Sequence, residues 1–350
     1  MNGTKWLHPL RPWEAELILW LQSMPDEFIT AMRWVSELGH PPFMLSLILF
    51  TYWGWKEEAG IQMAKFLTLS GVVMSLSKDL ILAPRPFWIH PEIMSLGKAG
   101  GFGMPSGHAM MSCVWLVVLA HTKNRTIKCL GWSIILLTGL SRITLGVHSP
   151  LQVLAGWAIG VMVFGEIVFK FFNPKSTLPA HTQDLRRNLV LIAILSMGAF
   201  FIYRYNQAWK PPETWIRELE EKSLGASNIR LPTVKSCLIY LSLFTGLVSW
   251  QWIRTSHMPT LKLEGNFKQR LGRVSIGIFL GVSAYLIYQA NKKSIPSIDA
   301  KYYLLLVGLS VLSTFLLVIG FPWFFQRIHL SSTPAPQSIS TNRSNSDGVV

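Results

Sequence analysis

Three short polar clusters stand at the edges of long apolar segments: Lys78 with Arg85-Pro86, then Pro105-Ser106-Gly107-His108, then Ser141-Arg142 followed by Gly146-Val147-His148. Together they set two histidines, two arginines, a lysine and a serine where most neighbours are apolar. Such a set can hold a phosphate and break a bond to it. Phosphoryl transfer needs charge neutralisation and in-line positioning more than elaborate covalent machinery. A neutral imidazole is a competent nucleophile near neutral pH, and a second imidazole can carry the proton. The clusters contain no metal-ligand set. Three fixed cations could do the neutralising, so neither a metal requirement nor a cofactor is expected.

The spacings suit that chemistry. Lys78 and Arg85 lie about two helical turns apart, so both can face the interior of a bundle. Pro84 and Pro86 stop the helix and let Arg85 turn inward from irregular backbone. Ser106 suits an N-cap, and the free N–H groups of a helix start favour an anion. Gly107 permits close approach of backbone to a ligand. Arg142 offers a guanidinium fork that matches phosphate oxygens. Gly146 is placed to end the preceding helix so that His148 reaches the same pocket.

The elements that position these residues must be membrane helices. Half of the 350 residues are hydrophobic and only 14% are charged; several apolar runs are each long enough to cross a bilayer. The fold expected is all-α, a polytopic transmembrane helix bundle of about nine spans near 41–56, 62–82, 106–121, 127–146, 150–172, 188–205, 234–253, 272–289 and 303–325. Residues 13–35 read as a short amphipathic helix carrying Leu17, Leu21, Phe28 and Trp34, suited to the interface. The chain then divides into an interfacial segment (1–40), a catalytic core (41–205), a loop with further spans (206–330) and a polar tail (331–350) expected to be disordered. Met1 to Pro12 lacks the apolar stretch and cleavage site of a secretory signal, so insertion is expected to use the internal spans.

A net charge of +14 would suggest nucleic acid in a soluble protein. Here the cations fall between apolar runs, so membrane orientation accounts for them and no nucleic-acid partner is expected. The loops 121–128, 170–188 and 254–273 are all basic and share one side, which should be cytoplasmic; the longer loop 206–233 is near charge balance. The three polar clusters then converge on the other, extracytoplasmic face. Scattered anchoring charges would land on both faces. Many of the 15 tryptophans lie near span ends, as an interfacial belt requires. Cys113, Cys129 and Cys237 give neither a disulfide framework nor metal spacing and read as small apolar residues. The isolated His8, His40, His90, His121, His181, His257 and His329 read as boundary residues, since none sits in a joint pattern.

The pattern K-x6-RP, PSGH and SR-x5-H resembles the type 2 phosphatidic acid phosphatase (PAP2) superfamily, which also includes glucose-6-phosphatase and the soluble vanadium haloperoxidases. The likeness covers roughly residues 60–170 and leaves about three C-terminal spans outside it. It implies that His148 attacks phosphorus to form a phosphohistidine, and that His108 protonates the leaving oxygen and then activates water. It further implies that Lys78, Arg85 and Arg142 neutralise the phosphoryl oxygens while Ser106 and the Gly107 amide complete the cradle. One position departs from many members, which carry an acidic residue four places after the nucleophile. Here it is Gln152, as in glucose-6-phosphatase-like members. Gln152 can still accept a hydrogen bond from the ring and so orient it.

The substrate expected is a phosphorylated lipid, phosphatidate or an isoprenyl pyrophosphate, whose tail stays in the bilayer. A sugar phosphate is the alternative, and transfer to another lipid alcohol is a further one. The segments 87–91 and 100–103 are expected to shape the entrance, the glycines allowing a mobile lid. A transporter would place charges at mid-span and break helices in paired halves; the span interiors here are nearly clean. A catalytically dead scaffold would not need both histidines. The location expected is the plasma or inner membrane, or the endoplasmic reticulum in a eukaryote; no oligomeric state can be read.

Overall fold

Apolar chain in lipid must satisfy its backbone polar groups internally, and this chain does so with helices. The computed structural model describes residues 10–97, 99–169, 180–224, 229, 235–258, 263–291 and 300–331, and no strand occurs among them. The helices are α1 (Pro12–Gln22), α2 (Asp26–Glu37), α3 (Pro41–Phe50), α4 (Glu57–Ile81), α5 (Pro86–Ile89), α6 (Gly107–Ser112), α7 (Trp115–His121), α8 (Arg125–Thr144), α9 (Pro150–Phe169), α10 (Ala180–Asn206), α11 (Glu213–Glu221), α12 (Lys235–His257), α13 (Phe267–Asn291), α14 (Ala300–Phe315) and α15 (Phe321–Arg327). Short π-helical turns follow α3 at Thr51–Trp55 and α14 at Leu316–Gly320.

Each of the nine stretches expected from hydropathy coincides with helix, but not all reach spanning length. Among the described residues six are long and apolar enough: Glu57–Ile89, Arg125–Thr144, Pro150–Ile167, Asp184–Asn206, Ser236–His257 and Leu306–Arg327. Phe43–Trp55 and Gly107–His121 are shorter apolar helices. The chain is a multi-pass membrane protein, and six of the nine expected spans reach spanning length and apolarity among the described residues. Lys170, Lys175, Lys262 and the tail beyond Ser331 lie outside the described residues.

Helix α4 runs through the middle and packs on α6, α7, α9, α10 and α12. Phe66, Leu69, Val114, Val117 and Phe244 form the core around it. At the end where α4 begins, Arg254 pairs with Glu57 at 2.5 Å and donates to the Tyr52 hydroxyl at 2.7 Å. Arg273 donates to the carbonyls of Trp53, Leu263, Glu264 and Leu330. These arginines entered the sequence reading as loop charges; in the fold they are buried and tie α12 and α13 to the turn Thr51–Trp55, the start of α4 and the residue Leu330 beyond α15.

The other end of α4 carries the polar clusters. The expected helix 13–35 is two helices here, broken at Ser23-Met24-Pro25 because proline cannot continue the first. Both pack on α8. The Gln22 amide donates to the Met94 carbonyl at 2.8 Å while its oxygen accepts from the Met94 N–H at 3.2 Å. Arg33 donates to the Leu96 carbonyl. On another side α11 packs on α5, and Lys222 just beyond it donates to the carbonyls of Phe87, His90 and Ile93. Trp88, Phe102, Trp209 and Trp215 close the gap edge to face or tilted. Phe87, Trp88 and Phe102 of the expected entrance, and Ile93 between them, are thus buried against α11 and its flanking residues.

Candidate active site

The clusters meet where α4, α6, α8 and α9 begin or end. Helix α4 stops at Ile81, and Leu82 caps it in a left-handed conformation (φ 52°) two residues before Pro84. The extended backbone of Arg85 then directs a 3% exposed guanidinium inward. Its Nε donates to the Gly101 carbonyl at 2.7 Å and Nη2 to the Gly100 carbonyl at 2.9 Å. Nη1 donates to the Val147 carbonyl at 2.8 Å and lies 3.1 Å from His148 Nε2.

His148 sits in the turn between α8 and α9. Gly146 makes that turn with φ +69°, a region that side-chain-bearing residues rarely adopt; a Cβ there would also lie 2.2 Å from the Met94 carbonyl. The amides of Val147 and His148 both donate to the Arg142 carbonyl and close the end of α8. The imidazole is 2% exposed. An arginine can only donate, so His148 Nε2 must accept and Nδ1 must carry the proton. Nδ1 accordingly donates to Gln152 Oε1 at 3.2 Å. The amide of Ser149 also donates to Oε1, and Gln152 Nε2 donates to the Pro84 carbonyl at 2.8 Å. These two bonds fix which end of the amide faces the ring. Gly103 lies flat against the amide: a Cβ there would come within 2.5 Å of Gln152 Nε2.

The remaining members surround this pair. Ser106 is fully buried at the N-cap position of α6, and its amide donates to the Gln152 carbonyl at 2.9 Å. Its hydroxyl makes no capping bond and is buried without a hydrogen-bond partner. Gly107 faces the Met74 sulfur, where a Cβ would sit at 2.5 Å, so its smallness serves helix packing. His108 Nε2 is likewise buried without a partner. Arg142, 2% exposed near the end of α8, donates to the Ser36 hydroxyl. Lys78 is half-buried in the last turn of α4. Burial and then the charges of Arg85, Lys78 and Arg142 push the His148 imidazole well below its ordinary range.

Two expected results follow. Because the depressed imidazole stays neutral below pH 6.5, the acid limb of any His148-dependent kcat/KM profile should fall below that value; a limb above it would contradict the electrostatics. Gln152→Ala removes the acceptor that sets the tautomer and should lower kcat about 10- to 100-fold with little change in KM. Full activity of that variant would exclude an orienting role.

Several residues at this end carry no sequence motif. Glu14 is 2% exposed; its carboxylate accepts from the Leu151 amide and so caps α9, and it also accepts from the Arg11 amide. Ser36 and His40 reach Arg142 and His108 from α2 and the residues after it. His40 read in sequence only as a boundary residue, and Glu14 and Ser36 carry no motif.

The PAP2 superfamily profile matches residues 59–175. The chain is 32% identical over 105 residues to an undecaprenyl-diphosphatase of Sulfolobus acidocaldarius, covering 30% of this chain and 51% of that protein. It is 24% identical to lipid phosphate phosphatase delta of Arabidopsis thaliana, covering 45% and 43%. Against glucose-6-phosphatase 2 of Homo sapiens the identity is 26% over 220 residues, 54% of this chain and 61% of that protein. The chain thus spans about half the length of the first curated relatives it matches. No solved structure matches it significantly.

Proposed function

We propose, from the premise that residues 59–175 carry a PAP2 superfamily domain of its membrane branch, that this chain is an integral-membrane phosphatase acting through a phosphohistidine at His148. The observation that carries the reading is the hydrogen-bond chain Gln152–His148–Arg85. It holds the ring proton on Nδ1 and aims the Nε2 lone pair at a guanidinium.

The catalytic sequence is as follows. A phosphate enters between Lys78, Arg85 and Arg142, and its oxygens take over the Arg85 N–H that now faces Nε2. Nε2 attacks phosphorus, the bond to the leaving oxygen breaks, and His108 gives that oxygen a proton. His108 then takes a proton from water as the water attacks the phosphohistidine, releasing phosphate and restoring His148. Ser106 and the Gly107 amide complete the cradle, and no metal is required.

We place the substrate among lipid phosphates and isoprenyl pyrophosphates, with the site on the extracytoplasmic face. The names of the relatives above support this, as does a site at the end of helices whose outer faces suit lipid. The length of the glucose-6-phosphatase 2 match supports a second reading, a soluble sugar phosphate. The test is phosphate release by purified protein from phosphatidate, undecaprenyl pyrophosphate, phosphatidylglycerol phosphate and glucose 6-phosphate, with EDTA present. Turnover of a lipid but not the sugar ester supports the first reading; the reverse supports the second. Loss of turnover in EDTA overturns the metal-free mechanism.

A further inference from the structure

The residues that close α2 lie at the site, although they precede the matched segment by about twenty positions. Ser36 is 3% exposed and accepts from Arg142 Nη1. The His40 ring meets the His108 ring at 4.8 Å between centroids and 87° between planes, an edge-to-face contact. Glu37 Oε1 lies 3.7 Å from His40 Nε2. Gly39 between them touches His108 so closely that a Cβ would fall 2.4 Å from His108 Cδ2. Two of the site's groups, one cation and one imidazole, therefore contact this five-residue stretch.

His108 has particular need of such support. Its Nε2 is buried with no hydrogen-bond partner, whereas His148 is gripped at both ring nitrogens. With no polar partner at Nε2, the ring takes part of its orientation from packing. An imidazole that must meet a leaving oxygen within hydrogen-bonding distance loses rate steeply when its orientation is loose.

We propose that Ser36–His40 is a positioning clamp: Glu37 and His40 set the ring of His108 toward the leaving group, and Ser36 sets the Arg142 fork. The proposal rests on the phosphatase reading above, in which His108 delivers a proton to the departing oxygen. A good leaving group needs that proton little and a poor one needs it much, so damage to the clamp should depend on the leaving group.

The experiment compares full-length protein in detergent with His40→Ala, His40→Phe and Ser36→Ala on phenyl phosphate and 4-nitrophenyl phosphate, with phosphatidate as a third substrate and inorganic phosphate as inhibitor. For His40→Ala, kcat/KM, which reads formation of the phosphohistidine and not the water attack common to both esters, should fall about tenfold or more on phenyl phosphate but within roughly threefold on 4-nitrophenyl phosphate. Phosphate inhibition, unchanged within about twofold, then reports an intact cradle. His40→Phe keeps a ring against His108 and should recover most of the phenyl phosphate rate. Ser36→Ala should weaken phosphate inhibition about tenfold with equal effect on both esters. An equal fall in kcat/KM on both esters for His40→Ala, no fall, or a Phe variant as impaired as Ala overturns the clamp. Wild-type protein inert on all three and also on undecaprenyl pyrophosphate, phosphatidylglycerol phosphate and glucose 6-phosphate overturns the phosphatase reading instead.

Discussion

His148→Ala should lower phosphate release by about 10⁴-fold or more, the scale of removing a covalent nucleophile, and should leave no acid-labile phosphoenzyme when labelled substrate is quenched. The ring is buried and bonded at both nitrogens. His108→Ala should behave differently. With 4-nitrophenyl phosphate the leaving oxygen departs without a proton, His148 is still phosphorylated, and the missing base slows only the attack of water. Labelled phosphoenzyme should accumulate while turnover drops by about 10²- to 10⁴-fold. If His148→Ala still forms phosphoenzyme, the nucleophile has been misassigned. If both variants lack it equally, the division of labour between the two histidines fails.

Arg85→Lys should be the second severe change, and it should damage stability as well as rate. The guanidinium serves the carbonyls of Gly100, Gly101 and Val147 together with His148. An ammonium is a compact point charge that cannot span that fork. It leaves at least one buried carbonyl unpaired, at about 1–3 kcal/mol for each. It also removes the donor at His148 Nε2 and one side of the phosphate cradle, for a loss in kcat/KM of about 10²- to 10³-fold. Thermal unfolding in detergent and steady-state kinetics read the two effects separately. A variant with the wild-type midpoint would refute the structural role.

The gathering of Lys78, Arg85, Ser106, His108, Arg142 and His148 is legible in the sequence for a simple reason. Each lies within a few residues of an apolar run's end, and consecutive helices alternate in direction, so short connections bring the ends together. The tautomer-setting role of Gln152 follows from its place four residues after His148, one helical turn onward. Residues contributed from outside the motifs carry no such signal. Ser36 sits in a helix where a serine is usually solvated. His40 is an isolated histidine between a glycine and a proline. Lys222 follows Glu218, Glu220 and Glu221, a pattern that reads as a wet helix face, yet its ammonium is threaded among three carbonyls. Hydropathy also cannot distinguish a short buried helix, such as α6 or α7, from one that reaches both surfaces.

The bonds of Gln22, Arg33, Ser36 and Lys222 into residues 87–142 bear on what can be cut from this protein. Met94, Leu96, Arg142 and the turn at 87–93 all take partners from sequence flanking 59–175. The Tyr240 ring fills the space over Gly71, where a Cβ would lie within 2.3 Å of it. An excised fragment of the matched length would lose both polar staples and wall. The heritable segment and the smallest autonomous piece are therefore different objects here, and expression boundaries belong outside α1 and beyond α12.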